Sequence, residues 1–76
     1  MPHVQVTFAT RHFSDEQNQR FADDLVEVLQ KHLKVGEDAI SVGFDEVAPA
    51  DWKSKMYEPQ IKPQLDKLVK KPGYEM

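Results

Sequence analysis

No cysteine occurs anywhere in the 76 residues, so disulfides are excluded as a source of stability, and the common cysteine-based zinc sites go with them. Glycine is scarce, at three residues, and no glycine-rich loop is available to cradle a phosphate. No apolar run approaches the roughly 18 residues of a membrane span, and no charged segment followed by an apolar stretch opens the chain as a secretion signal would. Charge of one sign is never gathered into a long run. Ten basic against thirteen acidic residues leave a formal charge of -3, which offers nothing to track a phosphate backbone. The expectation is a soluble protein of a reducing cytoplasm, with no nucleic-acid and no membrane partner. A domain near this size buries only about 60% of the surface its unfolded chain exposes, and with staples excluded, association with other copies is the support that remains.

What is present reads as alternation, then helix, then alternation. Residues 3 to 8 set Val4, Val6 and Phe8 against His3, Gln5 and Thr7, the period of a strand with one face on a core. Ser14-Asp15-Glu16-Gln17 reads as a capping box that opens a helix. Phe21, Ala22, Leu25, Val28, Leu29 and Leu33 recur at helical steps and predict one buried stripe, with Gly36 as the stop. Ile40, Val42 and Phe44 then alternate with Ser41, Gly43 and Asp45, a second strand. The predicted class is α+β: a βαβ protomer with two parallel strands wound right-handedly and a C-terminal helical segment. A single helix covers a single sheet face, so other copies are expected to complete the sheet.

Beyond Ala48 the pattern is less regular. Pro49-Ala50-Asp51-Trp52 opens a short helical turn, and Pro59 and Pro63 punctuate the residues after it. Ile61, Leu65, Leu68 and Val69 predict the buried stripe of a C-terminal helix that ends at Lys70-Lys71, where cations suit the terminus. Pro63, which has no N–H to donate, is expected in the first turn of that helix or at a kink. Residues 1 to 76 are read as a single domain, without repeat or linker.

Few residues offer chemistry. The three histidines, His3, His12 and His32, lack metal-ligand spacing, and no Ser/His/Asp set stands out. Pro2 follows the initiator Met, and removal of Met1 would leave a secondary amine. A terminal amino group has a reference pKa of about 7.7 to 8.0, so it can serve as a neutral base near neutral pH. Proline at the first residue of a strand also has a purely structural use, since no ladder donor is needed there. Arg11, at the end of the first strand, can hold a carboxylate in bidentate fashion and add positive field near the amine, or can be an ordinary solvated loop residue. Trp52, the sole tryptophan, comes after a polar, proline-containing loop and can be a core anchor or one wall of an aromatic site.

Taken together, Pro2 opening a strand, Arg11 ending it, the Ser14-Asp15-Glu16-Gln17 helix start, the Ile40-Ser41-Val42 strand and Trp52 resemble the tautomerase superfamily, in its 4-oxalocrotonate tautomerase family. The Pro2-His3 opening, Trp52 and the ending Lys70-Lys71-Pro72-Gly73-Tyr74 look like the bacterial phenylpyruvate tautomerase-like subgroup. The resemblance covers nearly the whole chain. It implies the tautomerase/MIF-like fold, assembly into dimers or hexamers, an amino-terminal proline as proton carrier, and no metal or organic cofactor. Pro2 carries over directly. Arg11 lies near the family's carboxylate-binding arginine, with two extra residues in the loop before Ser14, and Trp52 falls where the family uses a phenylalanine. The family's second arginine aligns with Gly43, so the resemblance implies a monocarboxylate with an aromatic tail, such as phenylpyruvate, in place of a dicarboxylate.

The expected function is therefore keto-enol tautomerisation of a 2-keto acid by an isomerase with Pro2 as catalytic base and Arg11 and Trp52 as substrate-binding residues. The same amine could form an iminium with an aldehyde. The competing reading is a noncatalytic βαβ module for oligomerisation or small-ligand binding, in which Pro2 only starts a strand. A homodimer is favoured over a hexamer, because the segment from Trp52 to Tyr74 can cap edges that shorter relatives leave open.

Overall fold

Both alternating segments form strands. The computed structural model describes every residue from Met1 to Met76, with β1 at His3–Ala9 and β2 at Ser41–Val47 paired in a two-stranded sheet. Residue numbers rise together along the pair, His3 meeting Ser41 and Gln5 meeting Asp45, so the strands are parallel. The connection between them contains α1, Asp15–Leu33, and a 3-10 turn at Glu37–Ala39 that the sequence pattern does not announce.

The start of α1 is built as the sequence predicts. The Ser14 hydroxyl accepts from the Gln17 amide at 3.1 Å, and the Gln17 side chain accepts from the Ser14 amide at 2.9 Å, so two orphan donors of the first turn are satisfied reciprocally. The stop differs from the prediction. Gly36 keeps an ordinary extended backbone (φ -80°), and Lys34 instead takes the left-handed conformation (φ 57°, ψ 45°) and donates its N–H to the Gln30 carbonyl. A single residue in that region ends a helix whatever its side chain, and glycine merely makes it cheaper.

Four phenylalanines tie helix to sheet. Phe21 stacks on Phe44 with ring centroids 4.8 Å apart, Phe8 meets Phe44 edge-on at 5.9 Å, and Phe13, just before the cap, closes on Phe8 at 5.9 Å. Such offset and edge-to-face pairs each add about 0.5 to 1.5 kcal/mol beyond their area burial. The covered stripe of α1 is rotated from the predicted one: Phe21, Ala22, Leu25, Val26 and Leu29 are half-buried, whereas Val28 and Leu33 are about half exposed (52% and 51%). Two strands are too narrow to cover a full helical stripe, so its margin stays open.

The chain divides into two compact units, Met1–Glu46 and Val47–Met76. The second begins with the expected turn, Pro49–Asp51, and continues through a wide, π-type helical stretch at Lys53–Ile61 and 3-10 turns at Lys62–Lys67. Pro59 lies inside the wide stretch, where a proline ring that clashes with the i−4 carbonyl favours longer-range bonding. Pro63 stands in the first turn of the last helical piece, as expected. That piece ends earlier than predicted. Leu68 is already extended (ψ 133°), Lys70 and Lys71 lie beyond the helix, and Val69 is fully exposed at 107%. With Gln64 out of helical geometry (φ -122°), the stripe begun by Ile61 and Leu65 cannot continue in phase to Val69. Tyr57, at 3% exposure, is the one buried residue of the chain.

At fixed protein concentration, Ser14→Ala is expected to lower stability by about 1 kcal/mol, the usual worth of an N-cap, and Ser14→Asp to restore most of it. Urea unfolding followed by circular dichroism checks this, and an unchanged midpoint for Ser14→Ala would show that the box adds nothing to stability.

Candidate active site

Pro2 stands at the head of β1, half-buried, with Met1 fully exposed in front of it. Its carbonyl accepts the Ser41 amide at 3.2 Å, and one residue on, the His3 Nδ1 pairs with the Ser41 hydroxyl at 2.6 Å. The residue that would bear the amine is thus clamped through its carbonyl to the second strand. With Met1 attached, the Pro2 nitrogen is a tertiary amide with no basicity. Met1 itself packs on nothing, so its removal takes no packing from the fold.

Arg11 lies past the other end of the strand. Its backbone N–H donates to the Glu46 carboxylate at 3.0 Å, and His12 beside it takes a left-handed conformation (φ 56°). Those two features hold the loop between β1 and α1, while no ion pair engages the exposed Arg11 guanidinium. At about 3.3 Å per residue, the seven residues of β1 keep Pro2 and Arg11 of one chain some ~20 Å or more apart. That backbone span exceeds the screening length of about 8 Å at physiological salt, so Arg11 adds little field at the Pro2 of its own chain. One protomer does not bring these two residues onto one small acid.

Between them, the sheet face away from α1 carries a polar row. Gln5 lies across Gly43 and donates to the Asp45 carboxylate at 2.9 Å. A methyl group on Gly43 would meet the Gln5 amide oxygen at 2.5 Å, so the place the resemblance assigns to a second arginine is filled by a neighbouring side chain.

Trp52, half-buried in the second unit, donates its indole N–H to the Tyr74 hydroxyl at 3.0 Å, and the Tyr74 ring lies 5.7 Å from that of buried Tyr57. Gln5, Glu46 and Tyr74 do not stand out in the sequence as residues that shape a site. Gln5 and Glu46 act across strands and become visible only with the register. Tyr74 acts across 22 residues of irregular chain, where no periodicity points to a partner. The histidines gather with no carboxylates into a cluster that could hold a metal ion, and no helix is long and apolar enough to cross a membrane.

Residues 2–54 match the family model described as tautomerase enzyme. The chain belongs to the tautomerase family. Similar relatives span its full length: Tautomerase PptA of Cronobacter sakazakii is 50% identical over 100% of both chains, and that of Pectobacterium carotovorum is 47% identical over 97% of both. Tautomerase PptA of Escherichia coli O139:H28 still shares 32% over the full length of both. This tautomerase is accordingly an isomerase, and the parallel βαβ arrangement with its open sheet and C-terminal helical segment is the tautomerase fold.

For this tautomerase, Gly43→Ala should push Gln5 off Asp45 and cost no more than about 1.5 kcal/mol, the worth of an exposed hydrogen bond. In a Gln5→Ala background the same change should cost nothing. Thermal unfolding of the four proteins tests it, and an equal cost in both backgrounds would show that Gln5 is not what Gly43 accommodates.

Proposed function

We propose that the protein is a cofactor-independent keto-enol tautomerase of an aromatic 2-keto monocarboxylate such as phenylpyruvate, with Pro2 as general base after loss of Met1. The observation that carries the reading is the placement of Pro2: held by its carbonyl at the start of a paired strand, behind a fully exposed Met1. A small second residue permits Met1 removal and frees the nitrogen as a secondary amine. Neutral Pro2 takes the enol hydroxyl proton as the C–O bond becomes a carbonyl, and the same nitrogen returns a proton to the neighbouring carbon, which receives the electron pair of the former double bond. The gain comes from positioned proton transfer.

Arg11 fixes the carboxylate and steadies developing negative charge. Because Arg11 and Pro2 of one chain sit at opposite ends of β1, the Arg11 that serves a given Pro2 comes from another copy. Trp52 supplies the apolar wall for a flat tail. Gly43, covered by Gln5, offers no second cation, and a dicarboxylate's distal charge that loses a charge-assisted bond forfeits about 1.5 to 3 kcal/mol. The enzyme is read as a cytoplasmic homodimer, in keeping with its lack of cysteine and with a two-stranded sheet whose edges are open to another copy. The relatives' full-length match supports treating residues 1 to 76 as one tautomerase domain.

Pro2→Ala should lower kcat/KM for phenylpyruvate enol at least about tenfold with the fold intact, since a primary amine is a differently tuned and more mobile base. Mixing Pro2→Ala with Arg11→Ala subunits should then recover activity well above either parent, because some mixed sites contain both native residues. Full activity of Pro2→Ala would end the catalytic assignment, and failure of the mixture would place both residues in one chain's site. In the unmodified enzyme, kcat/KM for phenylpyruvate enol should exceed that for 2-hydroxymuconate. The reverse order would show that another cation serves the distal carboxylate.

A further inference from the structure

An indole N–H is a donor only, so the Tyr74 hydroxyl must be the acceptor in the 3.0 Å contact with Trp52 Nε1. Tyr74 lies in the irregular stretch beyond the last helical piece, which ends at Lys67. Its ring is anchored on Tyr57, the one buried residue, at 5.7 Å between centroids. The tail is therefore pinned by an aromatic contact while its phenol reaches the indole edge. This arrangement removes two freedoms from Trp52: the indole plane cannot turn without breaking the bond, and its only polar group is already occupied.

We propose that Tyr74 is the positioning residue for Trp52, presenting the indole to substrate as a fixed apolar face without a free donor and so favouring flat apolar tails over polar ones. The inference rests on the reading of Trp52 as the wall of the tautomerase site. It adds that the selectivity of that wall is set from the chain's tail, 22 residues away.

Trp52 is the only tryptophan, so indole signals report on it alone. In the unmodified protein its indole N–H, followed by ¹H–¹⁵N NMR, should exchange with solvent at least tenfold more slowly than in a free indole. Tyr74→Phe keeps the ring on Tyr57 and removes only the hydroxyl. It should restore fast exchange, raise acrylamide quenching of the fluorescence, and raise KM for phenylpyruvate enol about three- to tenfold with kcat changed less than twofold. In a Trp52→Phe background, Tyr74→Phe should change neither constant further, which separates positioning of the indole from a general loosening of the tail. Unprotected exchange in the native protein, an unchanged KM in Tyr74→Phe, or the same KM rise in both backgrounds would each overturn the proposal. The native exchange rate requires no variant to fold. A fully active Pro2→Ala enzyme would sink the catalytic reading separately and leave the indole measurements to be judged on their own.

Discussion

The Ser41 amide donates to the Pro2 carbonyl at 3.2 Å, and the parallel register begun by that bond decides which side chains share a face. It places Phe8 and Phe44 together under Phe21, and Gln5 over Gly43 within reach of Asp45. A slip of one residue would send each of these side chains to the opposite face. The same bond fixes the residue whose nitrogen carries the proposed chemistry, so strand pairing and placement of the base are one constraint. A side-chain base on a loop would carry rotamer freedom that a strand-bound terminal proline lacks.

The second consequence is geometric. A straight strand keeps its two ends apart, and β1 has Pro2 at one end and Arg11 beyond the other. On the proposed reading the site is shared between copies, and the sheet leaves its polar face and the margin of α1 exposed, with no buried residue among the helix or the strands. The physical need for other copies and the chemical need for them point the same way.

Legibility in the sequence tracks the range of the interactions. Strict alternation in residues 3 to 8 and 40 to 45 and the Ser14/Gln17 box are local signals, and each forms the element it predicts. The stop of α1 comes before the glycine that would mark it, because Lys34 adopts the left-handed conformation itself. The stripe of the last helix fails at Val69 because Gln64 leaves helical geometry and the chain is already extended at Leu68, so a count of three and four residues no longer tracks one face. Pro2, Arg11 and Trp52 stand out by residue type and by resemblance to tautomerases. Their surroundings do not: Glu46 under the Arg11 amide, Gln5 over Gly43 and Tyr74 on the indole are 35, 40 and 22 residues from their hydrogen-bond partners, and only the folded register brings them there.

If the Pro2 nitrogen is a free amine whose protonation governs turnover, the most direct test is the ¹⁵N NMR titration of proline-labelled protein purified from cells, set beside the pH dependence of kcat/KM. Pro2 should give a titrating secondary-amine signal whose midpoint coincides with the rising limb of the rate profile, activity appearing as the nitrogen loses its proton. A non-titrating amide signal in active enzyme, or a rate limb well away from the nitrogen's own midpoint, would contradict the assignment of Pro2 as the base.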